Sequence, residues 1–164
     1  MMLTRRALML AGAAFGGTTV ATVASADGDT LQSEFLFDLE LTTGTPTAVG
    51  FPGGERSIVG VTGGSFAGPR LKGTVVGAGG DWIVRRPDGS SVLDVRLIVA
   101  TDDGERIFVT WRGVAYAGES GLVARIVPMF ETSSAKYAWL NTVVSVGVYR
   151  PAAGKVAYRV YRIL

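Results

Sequence analysis

The feature that most constrains this chain is a two-residue alternation of apolar and polar side chains, interrupted at short intervals by turn-forming residues. In the first such segment the apolar residues Phe35, Phe37, Leu39 and Leu41 alternate with mostly acidic residues. Successive side chains of a β-strand point to opposite faces, so this period predicts a strand with one buried face. Sustained helical periodicity of 3.6 residues is absent from the sequence, and at most one helical turn fits, near 135–140.

The same pattern predicts strands throughout the rest of the chain. Asp-Gly pairs at 88–89 and 103–104 fall where hairpin turns are needed, because these residues adopt the required backbone angles at little cost. The glycine-rich run at 77–80 is interpreted as another turn, since no phosphate-loop motif surrounds it. The further predicted strands cover 57–62, 70–77, 81–86, 91–101, 106–115, 126–132, 143–150 and 155–163.

Many short strands joined by tight turns describe an antiparallel meander. Closure of such a sheet removes the unpaired edges that otherwise promote aggregation. The predicted fold is therefore all-β, a small closed antiparallel β-barrel of about 8–10 strands with one short helical turn. A β-sandwich is the alternative.

The first 26 residues have the pattern of an export signal. Arg5 and Arg6 precede an apolar run, and Ala24-Ser25-Ala26 forms a small-x-small cleavage site. The arginine pair resembles a twin-arginine signal, and an ordinary secretory signal or an uncleaved anchor are the alternatives. We expect a signal peptide at 1–26, a single β-barrel domain at 27–164 without a membrane span, and a periplasmic or secreted location.

The composition excludes several classes of chemistry. The chain has no histidine and no cysteine, which excludes disulfides, imidazole catalysis, thiolate nucleophiles and Cys/His zinc sites. The leader holds two of the 16 basic residues and none of the 14 acidic ones, so the mature part has no net charge. A neutral domain without a basic run gives no reason to expect nucleic acid as a partner. We expect no metal site and no cofactor.

Several long motifs resemble one known family. They are VTGGSFAGPRLKGTV at 61–75, GGDW at 79–82, LDVR at 93–96, TDDG at 101–104, FET at 130–132 and YAWLN at 137–141. In this order the motifs resemble the domain-of-unknown-function family 3237, also called uncharacterised protein family 0311. The resemblance implies a single-domain antiparallel β-barrel and brings no established activity.

Candidate functional residues come from polar and aromatic side chains in distinctive places. A polar pair interrupts one face of the strand 91–101, a glycine pair precedes an acid and a tryptophan, and aromatic residues gather in the helical turn. Charges on the strand 91–101 would line the barrel interior if that face points inward. The alternative is that the apolar face of this strand is the core and the charged pair is solvated. We assign candidate catalytic roles to Asp81, Asp94, Glu131 and Tyr137, and ligand-binding roles to Arg70, Trp82, Arg96, Trp139 and Asn141.

These residues favour two functions and leave open whether the protein is an enzyme. The first is a binding module that holds a small apolar or aromatic carbonyl or carboxylate ligand in the barrel interior or mouth, with an arginine fixing the ligand's oxygen. The second is a cofactor-free isomerase, lyase or hydratase in which a carboxylate acts as general base. A structural or interaction protein is a third possibility. An enzyme is distinguished by a carboxylate inside a cavity with a raised pKa.

Overall fold

The computed structural model describes residues 30–164, and the predicted leader at 1–26 lies outside the described residues. Strands make up almost all of the described chain, and the elements follow one another in a simple order. They are β1 (Ser33–Thr43), β2 (Thr47–Phe51), β3 (Gly54–Ala67), β4 (Lys72–Arg85), β5 (Ser91–Thr101), β6 (Arg106–Gly118), β7 (Gly121–Glu131), a 3-10 helix (Ala138–Thr142), β8 (Ser145–Ala152) and β9 (Lys155–Ile163).

All strand pairings are antiparallel, and the sheet closes on itself. The strand order is β1-β9-β8-β7-β6-β5-β4-β3-β2, and β1 also pairs with β3. This last pairing, which joins Asp38 to Ala67 and Leu41 to Gly64, completes a ring of eight strands. The short strand β2 lies outside the ring and pairs with the first half of β3. The prediction of a closed antiparallel barrel over a sandwich is confirmed.

The two-residue alternation decides which side chains fill the barrel. In β5 the side chains of Leu93, Val95, Leu97 and Val99 are all at most 6% exposed and belong to one continuous core. The intervening positions of this strand face outward. Burial of such aliphatic side chains stabilises the fold by about 1.5–3 kcal/mol each.

The structure corrects the interpretation of residues 77–80 as a turn. Predicted strands 70–77 and 81–86 are one strand, β4, and the glycine run lies inside it. Pairing with β5 shifts register between Val76 and Gly80, and Gly77 has a φ of 75°, which glycine adopts far more easily than other residues. The run is therefore a bulge, a common way to bend a barrel strand. Strand β2 was not predicted.

The predicted hairpin turns at Asp88-Gly89 and Asp103-Gly104 are confirmed, with positive φ at both glycines. The predicted helical turn is also present, displaced toward the C-terminus as the 3-10 helix. Among residues 30–164, no helix has the length and apolar character needed to cross a membrane.

Candidate functional site

The two ends of the barrel are built differently. At the end that holds the turns 68–71 and 102–105, aromatic rings fill the interior: Phe37 makes edge-to-face contacts with Phe66 and Phe130 at 5.7 and 5.9 Å. The residual space among these apolar side chains is about 10 Å³. We call this the packed end. The barrel interior at this end has no room for a substrate-sized molecule. A more open pocket of about 250 Å³ lies outside it, against the turns, and Arg70 and Tyr137 are among its lining residues.

At the opposite end the interior contains a cavity of about 210 Å³, which we call the open-end cavity. Its walls come from β1, β3, β4, β5, β6 and β9, together with the segment between β1 and β2. Most of the lining is apolar, and a few polar groups interrupt it, as is typical of small-molecule sites. The lining residues are Leu41, Thr43, Pro46, Val59, Val61, Asp81, Ile83, Arg85, Val95, Trp111, Val156 and Tyr158.

Asp81 is the carboxylate of this cavity. It alternates with Ile83 and Arg85 along β4, so all three side chains line the cavity. One carboxylate oxygen of Asp81 accepts a hydrogen bond of 3.0 Å from the backbone N–H of Asp94. Burial raises the pKa of Asp81 to about 6; the hydrogen bond opposes this rise, and the charge of Asp94 adds to it. Both protonation states of Asp81 are therefore populated near neutral pH.

Tyr158 is the second ionisable group of the cavity wall. It is 4% exposed, and its ring contacts Trp111 and Tyr149 edge to face at 6.1 and 6.0 Å. Burial, followed by the negative charge of Asp81 and the neighbouring Tyr149, raises the pKa of Tyr158 well above its usual value. Tyr158 therefore stays protonated at physiological pH. The indole N–H of Trp111 is buried and has no hydrogen-bond partner among residues 30–164.

The rim of the cavity carries an exposed ion pair. Arg85 lies 3.5 Å from Glu55 across the β3–β4 ladder, and both side chains are largely solvated. Exposed pairs of this kind contribute little to stability. Among residues 30–164, no group of three or more acidic side chains is placed to hold a metal ion.

Of the residues that the sequence analysis singled out, only Asp81 lines the open-end cavity. Asp94 and Arg96 lie on the outer face of β5, so the expectation that they line the interior is corrected: the apolar face of this strand is the inner one. Arg96 and Arg112 both approach Asp94, at 3.4 and 3.7 Å. Trp82 also lies outside, where the Arg96 guanidinium is 5.3 Å from its ring centroid.

The aromatic cluster near the 3-10 helix lies at the packed end. The Arg70 guanidinium stacks 3.7 Å from the Trp139 ring centroid, and the Tyr137 hydroxyl donates to Asp103. Asn141 accepts from the backbone N–H of Thr132 and donates to its carbonyl oxygen. These contacts fix the segment 132–142 against the barrel, which is a structural role.

Glu131 is exposed at the end of β7, away from the cavity. Conversely, the sequence analysis missed Tyr158 and Trp111. Their signal was present in the alternation, because both occupy inward positions of strands whose neighbouring inward residues, such as Val109 and Val160, are aliphatic. A tryptophan or tyrosine in an otherwise aliphatic inward series indicates where polar groups enter the barrel interior.

Comparison with known proteins confirms the resemblance found in the sequence. Residues 31–163 match the model of a family described as a protein of unknown function, DUF3237. The hydroalkoxylation enzyme phnH of Penicillium herquei is 36% identical over 115 residues, which cover 70% of this chain and 71% of that enzyme. A UPF0311 protein of Rhodopseudomonas palustris is 28% identical over 150 residues, covering 82% of this chain and 98% of that protein.

Solved structures show the same architecture. A β-barrel-like protein from Acinetobacter baumannii superposes with a TM-score of 0.78 at 28% identity, covering 85% of this chain and 99% of that one. The fold is thus shared across nearly the full length of that protein.

Proposed function

The chain belongs to the DUF3237 family, and from this membership we propose that its open-end cavity is the active site of a cofactor-free proton-transfer enzyme acting on small apolar or aromatic substrates. The observation that carries the proposal is Asp81, a carboxyl group inside an apolar cavity with a pKa raised to about 6. A general base or acid works best when its pKa lies near the working pH. A carboxylate with a raised pKa inside a cavity favours an enzyme over a binding module.

The cavity supplies the other requirements of such chemistry. Its aliphatic walls hold an apolar molecule and exclude water, which strengthens electrostatic interactions inside. As a carboxylate, Asp81 takes a proton from the substrate; as an acid, it returns a proton to another atom of the same substrate. Such a cycle leaves Asp81 unchanged and consumes no second reactant.

The relative phnH suggests which proton transfer this is. Hydroalkoxylation adds the O–H bond of an alcohol or phenol across a carbon–carbon double bond, so one proton moves from oxygen to carbon. We propose the same reaction class here, the addition of O–H across a double bond or its reverse. It is one of the isomerase, lyase and hydratase reactions expected for a carboxylate base.

Two probes test this proposal without a co-substrate. The first, 1-(2-hydroxyphenyl)but-2-en-1-one, closes to 2-methylchroman-4-one, and the second, 2-(2-methylallyl)phenol, closes to 2,2-dimethyl-2,3-dihydrobenzofuran. In D2O the enzyme is expected to close at least one probe faster than buffer and to place one deuterium on carbon, as followed by NMR. Asp81→Asn abolishes this acceleration, whereas Glu131→Gln, which changes an exposed carboxylate, retains it.

Two results contradict the proposal. An Asp81→Asn variant that keeps the full rate excludes Asp81 as the proton carrier. Thermal stabilisation by both probes without turnover of either favours the binding module instead.

We also propose that the protein acts after export, on the strength of the leader pattern at 1–26. Expression of the full chain in a bacterium with both export routes, followed by N-terminal sequencing of the periplasmic fraction, is expected to show a mature chain that starts at Asp27. Replacing Arg5 and Arg6 with lysine blocks export if the twin-arginine route is used. Recovery of uncleaved protein from the cytoplasm contradicts the proposal.

A further inference from the structure

We propose that Tyr158 is a catalytic hydrogen-bond donor in the open-end cavity, and that it restricts the substrate to molecules whose double bond is conjugated to a carbonyl oxygen. The inference rests on the proposed function, because it needs Asp81 as the proton carrier. It adds the group that stabilises negative charge and the substrate class that this group selects.

The position of Tyr158 is fixed by its neighbours. Its ring is held between Trp111 and Tyr149 by edge-to-face contacts on both sides, and only 4% of the residue is exposed. No hydrogen bond to a protein group contributes to the raised pKa of its hydroxyl within residues 30–164, and the hydroxyl is not one of the fully enclosed polar atoms that lack a partner. Buried tyrosines usually find a partner for the hydroxyl. Here a rigidly placed donor on the cavity wall is left for a ligand.

The electrostatics agree with a donor role. Tyr158 lies close enough to Asp81 for the carboxylate charge to raise the pKa of the phenol, in addition to the larger effect of burial. Because the Tyr158 phenol remains protonated beside the Asp81 carboxylate, it can donate a hydrogen bond to a substrate oxygen while Asp81 accepts and returns the substrate proton. Such a division of roles between a base and a separate donor is well known in enzymes that form enolates.

The buried indole N–H of Trp111 supports the same interpretation. It is a second donor without a partner, on the ring that packs against Tyr158. Unpaired buried donors are rare in folded proteins, because the lost hydrogen bond to water is not replaced. The N–H itself is fully enclosed, so it marks an unsatisfied polar group beside Tyr158 and leaves the Tyr158 hydroxyl as the donor that a ligand oxygen can reach.

The reaction can be written with every atom accounted for. The Asp81 carboxylate takes the proton of the substrate hydroxyl, and the hydroxyl oxygen forms a bond to the β-carbon of the conjugated system. The π electrons move to the carbonyl oxygen, where Tyr158 donates a hydrogen bond to the resulting enolate. Asp81 then returns its proton to the α-carbon, and the carbonyl group is restored. The net change is an isomerisation.

An isolated double bond offers no such route. Addition to it begins with protonation of carbon and passes through a carbocation instead of an enolate. Donation from Tyr158 would then have no negative oxygen to stabilise. The cavity size adds a limit, since a 150 Å³ cavity accepts benzene. About 210 Å³ therefore accepts one ring with a short side chain.

The two phenol probes, together with two tyrosine variants, test the inference. The wild-type protein is expected to close 1-(2-hydroxyphenyl)but-2-en-1-one to one enantiomer in excess and to leave 2-(2-methylallyl)phenol unchanged. Tyr158→Phe is expected to lower kcat about 100-fold or more with little change in KM, as for loss of one oxyanion donor. Tyr116→Phe, at an exposed tyrosine of β6 that does not line the cavity, is expected to stay within about threefold of wild type.

A binding measurement on the wild-type protein does not depend on the variants being folded. Acetophenone and α-methylstyrene have the same shape, and only acetophenone has a carbonyl oxygen. We expect titration calorimetry to show acetophenone bound about fivefold more tightly, the value of one modest hydrogen bond. In Tyr158→Phe, once its thermal transition is confirmed, this preference disappears.

The outcomes separate the two proposals. If Asp81→Asn is inactive but Tyr158→Phe keeps full kcat, the proton carrier stands and the role of Tyr158 is refuted. Closure of the unconjugated probe refutes the substrate class. Activity that survives in Asp81→Asn overturns the proposed function, and closure of neither probe overturns both proposals.

Discussion

Replacing Asp81 with asparagine should stabilise the protein, and the gain should depend on pH. Burial raises the pKa of Asp81 from 3.8 to about 6, so the folded state favours the protonated form. This contribution to stability is fully present below pH 3.8 and is lost as the pH rises through about 6. A rise of this size corresponds to about 3 kcal/mol of unfolding free energy. Asparagine is uncharged throughout, and its side-chain oxygen can still accept the Asp94 N–H.

The assay is a series of thermal melts of both proteins between pH 3.5 and 8. The advantage of Asp81→Asn over wild type should grow by roughly 10 °C across this range, given a domain of this size. Asp88→Asn provides a control of opposite sign: hydrogen bonds from Ser90 lower the pKa of the exposed Asp88, so that wild type loses its advantage as the pH falls. A difference between Asp81→Asn and wild type that does not change with pH would refute the raised pKa and with it the main support for proton transfer.

Three further substitutions test other parts of the structure. Asp103→Asn should reduce thermal stability at pH 7 but not at pH 1.5. The reason is that hydrogen bonds from Lys136, Thr101 and the Tyr137 hydroxyl lower the pKa of Asp103 to about 2. An equal loss of melting temperature at the two pH values would contradict this. Gly73→Ala should lower the unfolding free energy in urea by about 1–3 kcal/mol, since its methyl group would lie 2.0 Å from a backbone oxygen of β5, whereas Gly60→Ala, with open space around it, should be tolerated. Asp94→Asn should shift the pH–rate profile to lower pH without abolishing turnover, because it removes a negative charge that raises the pKa of Asp81; a profile that stays in place would contradict this coupling.

The fold was predictable because strand alternation and turn chemistry act locally. Each apolar series, such as Leu93 to Val99, forms one face of a strand, and the Asp-Gly pairs terminate the strands where hairpins occur. The failures also have local causes. Glycines at 77–80 are compatible with either a turn or a bulge, and only pairing with both neighbouring strands decides for the bulge.

The site was predictable only in part, because closure determines what each strand faces. Asp81 was recognised from its place after two glycines. The charges of Asp94 and Arg96 suggested a polar interior, but the apolar alternative for that face was correct. The role of Tyr158 could not be predicted from the sequence, because it depends on the closure of the barrel. Tyr158 lies on the last strand, and it comes near Asp81 because β9 pairs with β1, and β1 pairs with β3, the neighbour of β4.

The ladder between β7 and β8 contains only two residue pairs, Arg125 with Val148 and Ile126 with Gly147, and the 3-10 helix lies in the connection between these strands. Around the circumference of the barrel this is the weakest line of backbone hydrogen bonds within residues 30–164. Neither strand lines the open-end cavity. Local opening of the barrel should therefore occur mainly at this seam, and its amide hydrogens should exchange with solvent first. The motion reaches the cavity through one contact: Tyr149 lies on β8 and packs against Tyr158, so opening of the seam loosens one side of the cavity wall.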